Sequence, residues 1–267
     1  MDYDNIEERL LSRLTDIAAA KGLGMSRVLV SFSCGAASAV AAKLAVEEYE
    51  NVEVIYCDTF AYEHTDNRRF FNDVQGWIGK EITVLKSEQY DDIFDVFSKT
   101  GWLVGPAGAR CTTELKKKVR QKFQHVDDIH VLGFTAEESK RCNRFQANNP
   151  ELLTDFILIR KGVTKAMCKR MLTDAGITLP AMYLLGYKNN NCIGCVKGQS
   201  GYWNKIRVDF PAAFDRMAKV EREMNVACNK KYVKGVRIPV FLDELDPKAG
   251  RYASEPDLSC GVWCGQQ

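Results

Sequence analysis

The segment Asn191-Cys192-Ile193-Gly194-Cys195-Val196-Lys197 carries a Cys-x-x-Cys in a stretch dense in Asn and Gly. Two thiolates at this spacing can share one metal ion or one corner of an iron–sulfur cluster. A thioredoxin-like redox pair is the rival reading, but no matching βαβ pattern surrounds the motif. Near the C-terminus, Cys260 and Cys264 stand four apart in Cys260-Gly261-Val262-Trp263-Cys264. On a helical turn they would face the same way, as a ligand pair or a resolving pair would. A nucleophilic cysteine must be a thiolate and wants cationic neighbours. Cys34, Cys57, Cys168 and Cys228 read as packing residues. The chain holds ten cysteines, more than packing alone requires, which points to a reducing compartment and to thiols used for chemistry or metal.

A second group of residues reads as a seat for an anion. Val28 to Phe32 is a short apolar run, Ser33-Cys34-Gly35 a small-residue turn, and Ala36 onward an alanine-rich helix through about Tyr49. Backbone N–H groups and the positive end of the helix dipole meet at such a turn, and small side chains let an anion approach. Ser33 and Ser38 add hydroxyls. The Gly-Lys-Ser/Thr ending of a P-loop NTPase is missing. Lys116 and Arg141 are the cations placed to hold phosphate or sulfate beside the turn. Lys116-Lys117-Lys118 with Arg120 is otherwise a solvated helix face. Tyr202 to Arg207 interleaves aromatic and basic residues, as a lid over a nucleotide or a stacking platform for nucleic acid would, or as a packed tail. His64 is the one histidine near the proposed pocket; His125 and His130 read as surface or strand-end residues.

These residues need a scaffold. The chain has 267 residues, 46% hydrophobic and 27% charged, and Lys plus Arg (37) nearly balance Asp plus Glu (35). Those proportions fit a globular chain and exclude a wholly cationic nucleic-acid binder or an acidic disordered one. No apolar run approaches the roughly 18 residues of a membrane span, and the acidic start lacks the features of a signal peptide. Strands are expected at 27–32, 52–57, 82–85 and 130–134. Helical patterns fall at 5–21, 66–78, 90–98, 113–124, 165–175 and 211–224. Uniformly apolar strands alternating with helices predict an open α/β fold, its sheet mostly parallel with helices on both faces, and a ligand site at the strands' carboxyl ends. The expected organisation is an α/β nucleotide-binding domain over 1–160 and a helical and loop extension over 161–267, packed on it and carrying the Cys-x-x-Cys and the Cys-Gly tail.

Several blocks, in order, resemble the phosphoadenosine phosphosulfate (PAPS) reductase family of the adenine-nucleotide α-hydrolase-like, or PP-loop, superfamily. Ser33 to Ser38 occupies the place of the PP-loop Ser-Gly-Gly-Lys-Asp-Ser, with Lys and Asp absent, as in the reductase branch. Val54 to Thr59 resembles the strand ending in Asp-Thr that holds the adenosine. Cys111-Thr112-Thr113-Glu114-Leu115-Lys116 resembles the Cys-x-x-x-Leu-Lys block. Leu132 to Arg141 resembles the Gly-x-Arg-x-x-Glu-Ser-x-x-Arg block, with Thr135 in place of its first Arg. Cys260-Gly261 resembles the C-terminal Cys-Gly with the nucleophile, flanked here by Ser259 and Trp263. The resemblance spans roughly 26–205, and the Asn- and Cys-rich middle looks like stand-alone relatives carried by bacteriophages.

The resemblance implies a cytoplasmic oxidoreductase of sulfur metabolism. Ser31, Ser33, Gly35, Ser38, Asp58, Thr59, Lys116, Gly133, Glu138 and Arg141 would bind the adenine nucleotide, and Cys260 would attack sulfur. Thioredoxin or glutaredoxin would then supply electrons, and a homodimer is expected. The family's iron–sulfur pattern implies Cys111, Cys192 and Cys195 as ligands of a [4Fe–4S] cluster or, second, of zinc. The fourth ligand is either missing, leaving one iron open, or supplied by Cys142, Cys260 or Cys264. One alternative on the same fold is an ATP-using sulfurtransferase that thiolates a nucleic acid or a small substrate. Another is a non-catalytic nucleotide-binding protein.

Overall fold

The computed structural model describes residues 26–105 and 108–258. The helix expected over 5–21 and the cysteines Cys260 and Cys264 lie outside the described residues. Along the chain, β1 (Val28–Phe32) is followed by α1 (Ala36–Glu48), β2 (Val52–Cys57), α2 (Asn67–Ile78), β3 (Ile82–Leu85) and α3 (Ile93–Thr100). A helical turn, Arg110–Thr112, runs through a π-helical turn, Thr113–Lys117, into α4 (Lys118–Phe123). Then come β4 (Ile129–Val131), α5 (Ser139–Asn148), β5 (Leu153–Asp155) and α6 (Lys165–Asp174). Helices α7 (Ser200–Asp209) and α8 (Pro211–Met224) precede an antiparallel hairpin of β6 (Asn229–Val233) and β7 (Val236–Val240).

The first five strands form a parallel sheet in the order β3-β2-β1-β4-β5. This is the expected α/β class, and the apolar runs explain it. All five residues of β1 are buried, because β1 lies between β2 and β4 and is covered on its faces. Local chemistry sets several helix ends. Thr164 accepts the Met167 N–H at 3.2 Å to open α6, and Gly176, at φ +75°, follows its end. Asp92 caps α3 through the Asp95 N–H at 2.7 Å.

Some elements differ from expectation. β4 starts at Ile129 and stops at Val131, so Gly133 and Phe134 lie beyond the pairing. His130 is 1% exposed inside that strand, not at the surface. β5 has no counterpart in the sequence pattern: its Thr154 and Asp155 are polar, and the burial of Asp155 is satisfied by the Tyr49 hydroxyl at 2.8 Å and Arg160 at 2.7 Å. α5 is a polar sequence anchored only by Cys142 and Phe145, the latter packed on Phe134 and Phe156. Tyr202 to Arg207, expected as a lid or platform, is helical, with Tyr202, Trp203 and Ile206 turned into a core.

The chain divides into two compact units that interleave along the sequence. One comprises Met1–Tyr56, Phe70–Val84 and Phe123–Leu179; the other comprises Cys57–Arg69, Leu85–Lys122 and Pro180–Gln267. In the first, α1 packs on β1 and against α6, and Phe70 and Phe71 of α2 stack with Phe32 and Tyr56. In the second, Phe97, Leu103, Met182, Trp203, Phe214 and Met217 form the core. Among the described residues no helix is long and apolar enough to cross a membrane.

One ion pair ties the first unit's sheet entry together. Arg27 donates from Nε and Nη2 to both oxygens of Asp128, at 2.9 and 2.8 Å, and from Nη1 to Glu53 at 2.6 Å. Burial pushes the Asp128 carboxyl up, but hydrogen bonds from Arg27 and the His125 N–H outweigh it and hold the carboxyl below its usual range. A depressed carboxyl stabilises the fold above the unfolded pKa and loses that contribution as pH falls through the folded one. Arg27→Ala strands a buried carboxylate and is expected to cost about 3 kcal/mol in urea unfolding at neutral pH. Asp128→Asn is expected to flatten the acid limb of stability below about pH 4; an unchanged limb would show the pair to be inert.

Candidate functional site

In the first unit, the turn after β1 lies where the sheet order reverses: the chain steps outward through β2 and β3, then returns to β1's other side as β4. Such a switch point opens a crevice at the strands' carboxyl ends. The turn is built from short side chains. Cys34 takes φ +53° and is fully buried, and Gly35 begins α1 without any side-chain cap. The Ser38 hydroxyl folds back into the turn. It accepts the Ser33 N–H at 3.2 Å and donates to the Gly35 carbonyl at 3.0 Å, with the Ser33 hydroxyl 3.3 Å away. Ser38 therefore shapes the turn from inside. Ser31 Oγ is buried in β1 with no hydrogen-bond partner.

Gly133 closes the other side of this turn. A Cβ there would lie 2.8 Å from the Ser38 nitrogen and 2.9 Å from its Cα, so no larger residue fits without moving backbone. The block that follows is locally committed. Glu138 accepts the Thr135 N–H at 3.0 Å and its hydroxyl at 3.3 Å, and pairs with Arg141 at 2.5 Å. The Arg141 guanidinium also lies 4.5 Å over the Phe134 ring. Thr135, which stands where the family pattern has Arg, is a helix-start residue.

The second unit holds the rest of the expected nucleotide set. Asp58 accepts the Phe60 N–H at 3.2 Å and faces Lys86 at 3.3 Å. Thr59 is buried and donates to Glu63 at 2.6 Å; Asn67 donates to the same carboxylate at 2.7 Å, and Asn190 donates to Asn67 at 2.8 Å. This buried polar chain anchors the Asn-rich stretch that leads into Cys192. His64 accepts the Asp66 N–H and packs on Phe210. Lys116 is 8% exposed and Arg120 1%, so both face inward instead of forming a solvated face. Burial pushes the Cys57 thiol up to about 11, opposed by the positive charges of Lys116 and Arg120 close by. Arg120 is a cation that the sequence pattern assigns to the surface; its four-residue spacing from Lys116 is the signal that could have found it.

Cys111, Cys192 and Cys195 all pack in or against the second unit's core, and so does Cys228. Burial pushes the Cys228 thiol well up, with Glu221 and Cys195 adding to it, as suits the packing residue expected there. Cys142 lies in the first unit, on the buried side of α5. The Cys-x-x-Cys backbone is held at both ends by one hydroxyl: Tyr202 donates to the Cys192 carbonyl at 3.1 Å and accepts the Cys195 N–H at 2.9 Å. The Ile193 N–H donates to the Tyr62 carbonyl at 2.7 Å, and Gly194 turns at φ +76° against the Trp203 ring. Asn189 and Asn191 donate to the Leu258 carbonyl at 3.0 and 2.6 Å, fixing the point from which the C-terminal cysteines depart.

No three of these thiols come within 4.8 Å of one another; among the described residues only His125, Asp127 and Asp128 do so as a ligand-type group. Thiolates sharing one tetrahedral zinc would sit about 3.8 Å apart, and the described cysteines form no such group. The His125 group is no substitute, since Asp128 is committed to Arg27. The chain matches no protein-family model and no curated protein.

Tyr202→Phe removes the hydroxyl and leaves the buried Cys195 N–H unpaired. The expected loss is about 1–3 kcal/mol in thermal or denaturant unfolding. Unchanged stability would mean the loop holds itself.

Proposed function

We propose that the protein is an enzyme of the PAPS reductase type, binding an adenylated sulfate and transferring its sulfur through a cysteine. The observation that carries the reading is the uncapped, small-residue start of α1 at the reversal point of a β3-β2-β1-β4-β5 parallel sheet, a PP-loop-like arrangement. The acidic end of the nucleotide would sit against the 33–38 backbone, with Gly133 keeping the approach open. Within the second unit, Lys116 and Arg120 are buried cations of the kind that can hold an anion. The Cys260 thiolate would attack the sulfate sulfur, forming an S–S bond as the S–O bond to the nucleotide phosphate breaks. The adenosine phosphate leaves, and two electrons from a thioredoxin or glutaredoxin dithiol release sulfite and restore the thiolate. Leu258, two residues before Cys260, is held by Asn189 and Asn191.

A second reading is favoured by the gathering of Cys111, Cys192, Cys195 and Cys228 in one core. Cys111, Cys192 and Cys195 would hold a [4Fe–4S] cluster with three thiolate ligands. Such a cluster, when bound, would leave one iron open, which would carry sulfur to an acceptor activated by ATP.

Supplied with PAPS and reduced thioredoxin, the protein is expected to form sulfite, and Cys260→Ser to abolish it. Sulfite formation unaffected by Cys260→Ser, or none at all, would remove the reductase reading. Pyrophosphate release from ATP that depends on an added RNA or DNA would then support the second. Gly133→Ala is expected to weaken binding of adenosine 3′,5′-bisphosphate at least about tenfold, read by calorimetry, because the added Cβ pushes on the α1 backbone. Iron and acid-labile sulfide that fall together in Cys111→Ser and Cys192→Ser would mark the thiol set as ligands.

A further inference from the structure

The β6–β7 hairpin carries a surface that the nucleotide and thiol sites do not use. Residues 229–240 contain Lys230, Lys231, Lys234 and Arg237 and no carboxylate. All four cations are exposed. Tyr232, Val233 and Val236 are exposed too, at 64%, 45% and 63%. The register sorts them. Tyr232 stands opposite Arg237 and Lys230 opposite Pro239, so these four share one face. The hairpin closes through Lys234 at φ +50° and Gly235 at φ +80°, a tight two-residue turn. Its root is fixed: Asn229 donates to Ser200 at 3.1 Å, and Cys228 and Val240 pack on the core.

Charges on an exposed hairpin can serve simply to keep its edges from pairing. That role does not call for an exposed tyrosine between a lysine and an arginine. We propose that this face binds single-stranded nucleic acid, Tyr232 stacking on a base while Lys230 and Arg237 meet the phosphates on either side. Lys230 and Arg237 lie diagonally across the two strands, a separation of about 7–8 Å, close to the phosphate repeat of an extended single strand. Stacking on an aromatic beside cations is the sequence-tolerant mode of single-strand binding. The proposal is independent of the reductase reading: it concerns another surface and is tested without turnover. It also relocates the aromatic and basic platform that the sequence suggests at Tyr202 to Arg207, whose rings are buried.

The test is fluorescence anisotropy of a labelled oligothymidylate of about 20 nucleotides with the full chain. Binding is expected to weaken as salt rises. Tyr232→Ala should lower affinity about tenfold with the salt slope unchanged. The Lys230→Gln, Arg237→Gln double variant should reduce that slope by about 0.7 for each phosphate that is no longer neutralised. All three substitutions are at exposed positions, and matching melting curves show that the fold is kept; a variant that melts early is replaced by Tyr232→Ser or the single lysine change. No binding at low salt, or binding indifferent to these substitutions, overturns the proposal. Hairpin-dependent binding to vesicles rich in phosphatidylserine, with none to the oligonucleotide, overturns it in favour of a membrane surface.

Discussion

The approach of Gly133 to the backbone of Ser38 is the constraint on which the first unit's site depends. With no side chain between them, the end of β4 touches the start of α1, and the turn after β1 has one place to go. Because β1 is paired on both sides, that turn is fixed from below as well. Ser38 completes the restraint from within by bonding both flanks of the turn. Backbone N–H groups at a helix start attract anions only if they are held open and dry, and here sheet and glycine provide that without any lysine in the loop.

The second unit solves a different problem, holding a thiol-bearing loop that has no regular structure of its own. It does so with polar groups inside an apolar core. Tyr202 spans the Cys-x-x-Cys, and burial drives its hydroxyl pKa well up, so it stays a neutral donor. The Thr59–Glu63–Asn67–Asn190 chain reaches the same loop from the other end. A loop tied at several points loses little further freedom when it takes up a ligand. Cys57 and Cys168, by contrast, are raised to about 11 and about 12 by burial and have the character of packing thiols.

The parallel sheet is legible in the sequence because its strands are apolar throughout and separated by periodic helices. Helices α6 and α8 are legible from Thr164 and Gly176 and from their amphipathic pattern. β5 is not, since three residues with a Thr and an Asp carry no strand signal; tertiary partners, Tyr49 and Arg160, make it. α5 and α7 escape the pattern because one is polar and the other is aromatic and basic, and burial alone resolves such stretches. For the site, the turn and the Cys-x-x-Cys are readable from residue type and spacing. Cys228 is not, because its neighbours Glu221 and Cys195 come together only in the fold; Arg120 is signalled only by its four-residue spacing from Lys116.

Glu221 has one more consequence. It is wholly buried, and its two oxygens accept the Cys228 N–H at 2.6 Å and the Leu242 N–H at 2.7 Å, the residues that bracket the hairpin. A single carboxylate thus clasps entry and exit, and whatever lies between is a cassette on a closed buckle. The turn at its far end can be lengthened or exchanged by design while its root at Asn229 and Val240 stays on the core.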